Sequence, residues 1–141
     1  MKNHKILFVM FVLLLIIVAG CSKEIVNEEQ KIKVDIWVEG KGDYEYFNEI
    51  TNSDEVQKFQ EIVFNIEWEN ASEQLERPAD YKFIFQFINP NIEAKAVTYK
   101  LWINPNNDLV EIGMEDKASL KLNKEKSITL IKILTNKNTK N

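Results

Sequence analysis

Hydrophobic and polar positions alternate with a period of two in several short stretches after residue 30, a pattern typical of half-buried β-strands. In residues 31–40, KIKVDIWVEG, four aliphatic side chains fall on one face of the first predicted strand. Residues 81–88 place four aromatic side chains on one face, and Asn89-Pro90 ends that strand. Residues 97–103, 109–114 and 118–122 predict three further strands, with the turn sequence NPNND between the first two.

Two segments follow a helical period instead. Asn52 is a predicted N-cap with Glu55 three residues later, the spacing of a capping box. The apolar stripe of this helix consists of Val56, Phe59, Ile62, Val63 and Ile66. Residues 62–68 also alternate like a strand, which is the competing interpretation. Asn123 is the predicted cap of a last helix, although that helix is rich in β-branched residues, which are weak helix formers.

The order of these elements predicts an α+β fold. Strand, helix, four strands and helix (β-α-β-β-β-β-α) describe a mostly antiparallel sheet of about five strands with two helices on one face. In this interpretation residues 40–47, GKGDYEYF, form a loop because Gly40 and Gly42 interrupt the alternation.

The amino terminus has the arrangement of a secretory signal peptide. Lys2 and Lys5 precede an apolar run at residues 6–18, and the small residues Ala19 and Gly20 precede Cys21. The run is shorter than the roughly 20 apolar residues that cross a bilayer. We therefore expect a cleaved signal helix at residues 1–20, the alternative being a buried cysteine in an uncleaved membrane helix.

Residues 18–21, VAGC, resemble the lipobox of bacterial lipoproteins. The resemblance implies cleavage before Cys21 and a thioether-linked diacylglycerol on its thiol. Two acyl chains give stable anchoring, at about 0.8 kcal/mol per buried CH₂ group. We expect the mature protein to be lipid-anchored through Cys21 on the outer face of the cytoplasmic membrane.

Cleavage would leave 121 residues, enough for one compact domain and too few for a two-lobed solute-binding protein. We divide them into an acidic tether (residues 21–30), a single α+β domain (residues 31–136) and a polar tail (residues 137–141). The mature chain would carry 16 basic and 22 acidic side chains, a net charge of −6. Since no basic cluster stands out, nucleic acid is not an expected partner.

Three stretches of the mature part resemble the YhfM-like lipoproteins of Gram-positive bacteria. They are PADYKFIFQF at residues 78–87, YKLWI at residues 99–103 and ASLKLNKEKSITLIKIL at residues 118–134. The resemblance covers residues 32–134, with Ala79 inserted in the family's P-D-Y motif. It implies the fold and the location and supplies no catalytic residue.

The residue types of the mature chain exclude several chemistries. The only histidine, His4, leaves with the signal peptide, which removes Ser-His-Asp and Cys-His sites and the usual zinc ligand sets. Asp43, Glu45, Glu67 and Glu69 are the nearest approach to paired catalytic acids, and a solvated surface is the plainer interpretation of them. Residues 104–108, NPNND, lack the ligand spacing of a calcium-binding loop, and we interpret them as a turn. We expect no catalytic residue, cofactor or metal.

A candidate binding face follows from the strand parities. Trp37, Ile84, Ile88 and Trp102 fall opposite the aliphatic and aromatic rows of their strands, amid polar neighbours. Tryptophan among polar residues is typical of interaction surfaces. The alternative is that residues 40–47 or 69–78 fold over the tryptophans and bury them.

Two functions of different classes follow. The first is a non-catalytic accessory or binding module, held at the membrane by Cys21, for an unidentified protein or envelope partner. The second is a carboxylate-dependent hydrolase of envelope polymers. A deep pocket holding two carboxylates would favour the hydrolase, and a flat aromatic face would favour the binding module.

Overall fold

A computed structural model describes residues 3–5, 28–114 and 118–136 of the chain. Six strands are described: β1 (Gln30–Val38), β2 (Asp43–Ile50), β3 (Tyr81–Phe87), β4 (Tyr99–Ile103), β5 (Val110–Met114) and β6 (Ser119–Lys121). They form one antiparallel sheet in the order β2-β1-β3-β4-β5-β6. Helices α1 (Ser53–Phe64) and α2 (Lys124–Thr135) and a 3₁₀ turn at Trp68–Asn70 complete the described part. The predicted α+β class is confirmed.

The predicted strand count was too low, because residues 40–47 are a hairpin rather than a loop. Gly42, with φ of 65°, closes the turn, and its N–H donates to the carbonyl of Val38 at 2.9 Å. Strand β2 then pairs with β1 along its whole length. The true order is β-β-α-β-β-β-β-α, with the 3₁₀ turn after α1.

Both helices begin at the predicted caps. The Asn52 side chain accepts hydrogen bonds from the N–H groups of Asp54 and Glu55, and the Asn123 side chain accepts one from Lys126. Helix α1 ends at Phe64, so the competing strand interpretation of residues 62–68 is wrong.

The helices cover one face of the sheet and enclose the core. Its largest fully buried side chains are Ile32, Ile50, Phe59, Phe83, Leu101, Ile112, Leu130 and Leu134. Ser127 is also buried there, and its hydroxyl accepts the N–H of Val110, which ties α2 to β5.

Most of the predicted signal peptide, the lipidation site Cys21 and the predicted tail at residues 137–141 lie outside the described residues. Within the described part, no helix has the length and apolar character needed to cross a membrane.

Candidate functional site

The sheet face away from the helices, here called the outer face, carries the residues that the sequence singled out. It divides into two halves. Residues 71–80, here called the crossing segment, run over the half formed by β4, β5 and β6. The other half, formed by β2, β1 and β3, is here called the open half, and its Lys33 and Tyr46 side chains are exposed.

Trp102 lies under the crossing segment and is only 3% exposed. Its indole N–H donates to the carbonyl oxygen of Arg77 at 3.0 Å. Trp102 is therefore not part of an accessible binding face. The alternative interpretation, in which residues 69–78 bury a tryptophan, is correct for Trp102. The strand parity was right, but the covering segment removes the side chain from solvent.

The crossing segment is fixed at its start by the edge strand β6. Ser72 and Ser119 exchange two backbone hydrogen bonds of 2.8 Å, an isolated antiparallel bridge. Gln74 then reaches over β5, and its side-chain amide donates to the carbonyl of Met114. An added Cβ at Gly113 would lie 2.9 Å from the Gln74 amide nitrogen and 3.3 Å from the Trp102 ring.

The far end of the crossing segment is fixed by a carboxylate. Asp80 accepts the N–H of Ile103 at 2.7 Å and receives both arms of the Arg77 guanidinium at 3.1 and 3.2 Å. Arg77 also donates to the carbonyl of Ile103 at 3.1 Å. These contacts hold the segment against the end of β4.

Trp37 is partly buried by the hairpin that the sequence had assigned to a loop. The Tyr44 ring meets the Trp37 ring at a centroid distance of 5.1 Å, and its hydroxyl donates to the carbonyl of Ala79 at 2.9 Å. The Lys82 ammonium lies 4.1 Å from the Tyr44 ring centroid, a cation–π contact. Burial raises the pKa of Tyr44 above its ordinary value.

The open half keeps an accessible aromatic and charged surface. Tyr46, which pairs with Asp35, is 62% exposed. A shallow depression of about 200 Å³ is lined by Lys33, Asp35, Lys82, Phe83, Ile84 and Thr98. Sequence reasoning missed Tyr46 because β2 was not recognised as a strand.

The four predicted site residues do not come together. Trp37 lies near the β1–β2 hairpin, Ile84 lies in the middle of the open half, and Trp102 is covered. Ile88 follows the last residue of β3, at the opposite end of the sheet from the hairpin. Only Ile84 and part of Trp37 remain candidates for the open half.

The predicted candidate acids sit on exposed surface. Glu45 pairs with Lys41 in the β1–β2 hairpin, and Glu67 accepts a hydrogen bond from the Asn70 side chain. Four depressions among the described residues, two of them near the β4–β5 turn, have one carboxylate residue each in their walls: Glu93, Asp80, Glu111 or Asp35.

The NPNND segment is a closed turn. The Asn104 side-chain oxygen accepts the N–H groups of Asp108 and Leu109, and its amide donates to the Asp108 carboxylate at 2.7 Å. This hydrogen bond holds the pKa of Asp108 below its usual value. Among the residues described, no three His, Cys, Asp or Glu side chains are grouped so that they could hold a metal ion.

Comparison of the chain with protein-family models, with curated proteins and with solved structures finds no match. The resemblance to the YhfM-like lipoproteins therefore stays a prediction.

Proposed function

We propose that this chain is a lipid-anchored, extracytoplasmic protein whose α+β domain is a non-catalytic binding module. The anchor would be a diacylglyceryl group on Cys21, at the outer face of the cytoplasmic membrane. The signal-like residues 1–20 and the lipobox-like residues 18–21 support this part of the proposal. The likeness to YhfM-like lipoproteins agrees with it.

The observation that carries the binding role is the contrast between the two halves of the outer face. The crossing segment buries Trp102 on one half, while Tyr46 on the other half remains largely exposed. Elsewhere on the same half, Lys33, Lys82 and Ile84 line a shallow depression. Aromatic residues are enriched at protein–protein interfaces, and tyrosine is among the residues that most often carry their binding energy. We propose the open half as the surface that meets a protein or envelope partner.

The hydrolase alternative finds less support. Glycoside hydrolysis by carboxylates needs two acids about 5–10 Å apart across a cleft. The four depressions named above, within the described part of the chain, have one carboxylate residue each. A binding role needs no such pair.

Membrane fractionation tests the anchor, and crosslinking in intact cells followed by mass spectrometry tests the binding surface. Replacing Cys21 with Ser removes the thiol that would form the thioether, so we expect the protein to leave the membrane fraction while its domain stays folded. Retention of Cys21→Ser in the membrane would refute the anchor and support an uncleaved membrane helix.

The binding surface is tested on the anchored protein. We expect the double change Tyr46→Ser with Lys33→Ser to remove a crosslinked partner, because truncating an interface hot spot costs about 2 kcal/mol or more. Both side chains are exposed, so the domain should keep its circular dichroism. Ile128→Ser with Lys126→Ser, on the exposed side of α2, is the matched control. Equal crosslinking by both double variants would move the binding surface elsewhere.

A further inference from the structure

The end of the sheet at which the chain enters the domain, here called the entry end, has an unusual surface. Gln30 begins β1 and lies opposite Phe87, the last residue of β3, while Tyr99 begins β4 at the same end. The N–H of Ile88 donates to the carbonyl of Glu29 at 3.0 Å, so the start of the described chain is fixed against the β3–β4 connection.

Three large apolar side chains are exposed around this point. Phe64 at the end of α1 is 58% exposed, Ile88 46% and Val97 47%. Phe64 and Val97 line a depression of about 670 Å³ whose apolar wall also includes Phe87 and Ile92. The Phe64 ring rests on the Phe85 ring at a centroid distance of 5.0 Å, so the exposed side chain has a rigid base.

The charges at the entry end do not favour an anionic partner. Glu28, Glu29 and Glu93 lie in this region of the chain, against Lys95 in the wall of the depression. A surface that is apolar and slightly acidic would gain free energy from apolar burial rather than from long-range attraction to anionic lipid headgroups.

The short tether keeps this surface within reach of the bilayer. This step rests on the proposed lipid anchor. Nine residues lead from Cys21 to Gln30, and at about 3.4 Å each they reach no more than about 30 Å. With Cys21 in the bilayer, the entry end lies no more than about 30 Å from the lipid. Contact would be intramolecular, so a weak intrinsic affinity is sufficient for it to form.

We propose that the entry end is a membrane-contact surface, on which Phe64, Ile88 and Val97 enter the interfacial region of the bilayer that holds Cys21. Exposed aromatic and aliphatic side chains beside a lipid anchor bind such an interface through their buried apolar area. Strand β1 is about 30 Å long and runs away from this end. The contact therefore points the β1–β2 hairpin away from the membrane and leaves the open half accessible from the side.

Lipid quenching of a fluorophore tests this orientation in the full-length, lipid-modified chain. Because lipidation consumes the thiol of Cys21, a single new cysteine can be labelled, either Val97→Cys at the entry end or Asn106→Cys in the β4–β5 turn at the other end. The protein is reconstituted in phosphatidylcholine vesicles containing nitroxide-labelled lipid. We expect strong quenching at residue 97, little at residue 106, and no loss of the difference at high salt.

A second pair of variants identifies the side chains responsible. Phe64→Ser with Ile88→Ser should lower quenching at residue 97 to the level seen at residue 106. Ile128→Ser, at an equally exposed position on α2, should leave it unchanged. Equal quenching of the labels at residues 97 and 106, in the lipid-anchored protein without the serine substitutions, would overturn the contact surface while leaving the anchor intact. Failure of the wild type to acquire lipid would overturn the proposed function, and this inference with it.

Discussion

At the scale of single residues, the aromatic row of β3 shows that the alternation of a strand predicts the face of a side chain but not its burial. The alternation predicted Tyr81, Phe83, Phe85 and Phe87 on one face, and Phe83 and Phe85 do lie against α1. Their burial differs, however. Phe83 is fully buried, stacked on Tyr99 and edge-on to Phe59 at 4.9 Å, whereas Phe85 is partly exposed at the entry end. Parity gives the direction of a side chain and not the depth of the layer above it.

Phe83→Ala should therefore destabilise the domain more than Phe85→Ala. Truncating a fully buried phenylalanine costs about 3–5 kcal/mol, because the burial is lost and a cavity remains. Phe85→Ala leaves a site that solvent can enter, so its cost should be smaller. Urea unfolding of the two variants beside the wild type measures both free energies of unfolding. An equal or reversed order would show that β3 is buried differently from the structure described above.

Parity was also sufficient to place Trp37 and Trp102 on the face opposite the aliphatic rows. It could not show that Trp102 is covered. The cover depends on the bridge between Ser72 and Ser119, two residues 47 positions apart that carry no local pairing signal. The exposed Tyr46 was missed for a related reason, since its strand was not recognised.

At the scale of elements, the sequence predicted correctly the features that depend on neighbouring residues, such as the starts of the helices. Asparagine caps set the starts of both helices, as expected from their side-chain oxygens. Helix α2 forms despite its β-branched residues because Leu130, Ile133 and Leu134 are buried on one side, and tertiary packing outweighs intrinsic propensity.

Residues 40–47 were predicted as a loop because Gly40 and Gly42 interrupt the alternation, and a β-bulge inside strand β2 breaks it a second time. Val34 pairs with Asn48 while the next residue, Asp35, pairs with Tyr46, so Phe47 is the extra residue. Phe47 contacts the Tyr81 ring, and Asn48 donates to the carbonyl of Asn136 beyond α2. Two consecutive side chains thus turn toward the helices, which a strict period of two cannot describe.

The crossing segment gives a prediction at this scale. Gly113→Ala places a methyl group against the Gln74 amide, the Ser119 Cβ and the Trp102 ring, so the end of the Gln74 side chain must move and the two other groups must give way by a few tenths of an ångström. We expect a loss of about 1–3 kcal/mol in the free energy of unfolding, the usual cost of overpacking. Gly40→Ala is the matched control, since its added Cβ would have no neighbour within 4 Å. Urea unfolding of both variants checks this, and equal stabilities would mean that the segment does not press on β5.

At the scale of the whole molecule, the arrangement joins an anchor, a membrane-facing end and an open sheet face. The acidic balance of the chain works against electrostatic attachment to an anionic surface. Under the proposals above, position at the membrane comes from the lipid on Cys21, and orientation comes from the apolar entry end. We therefore expect a change in the tether to affect the orientation of the domain but not its attachment to the membrane.

Lengthening the tether should weaken orientation without releasing the protein. An insertion of about 30 Gly and Ser residues between Asn27 and Glu28 gives a flexible linker. Because effective concentration falls with roughly the −3/2 power of linker length, lengthening the nine-residue tether about fourfold should lower it about ninefold. Quenching of a label at residue 97 should then fall, while fractionation with the membrane stays unchanged because Cys21 is untouched. Unchanged quenching would mean that the entry end binds lipid without help from the tether, and loss from the membrane would mean that Cys21 alone does not hold the chain.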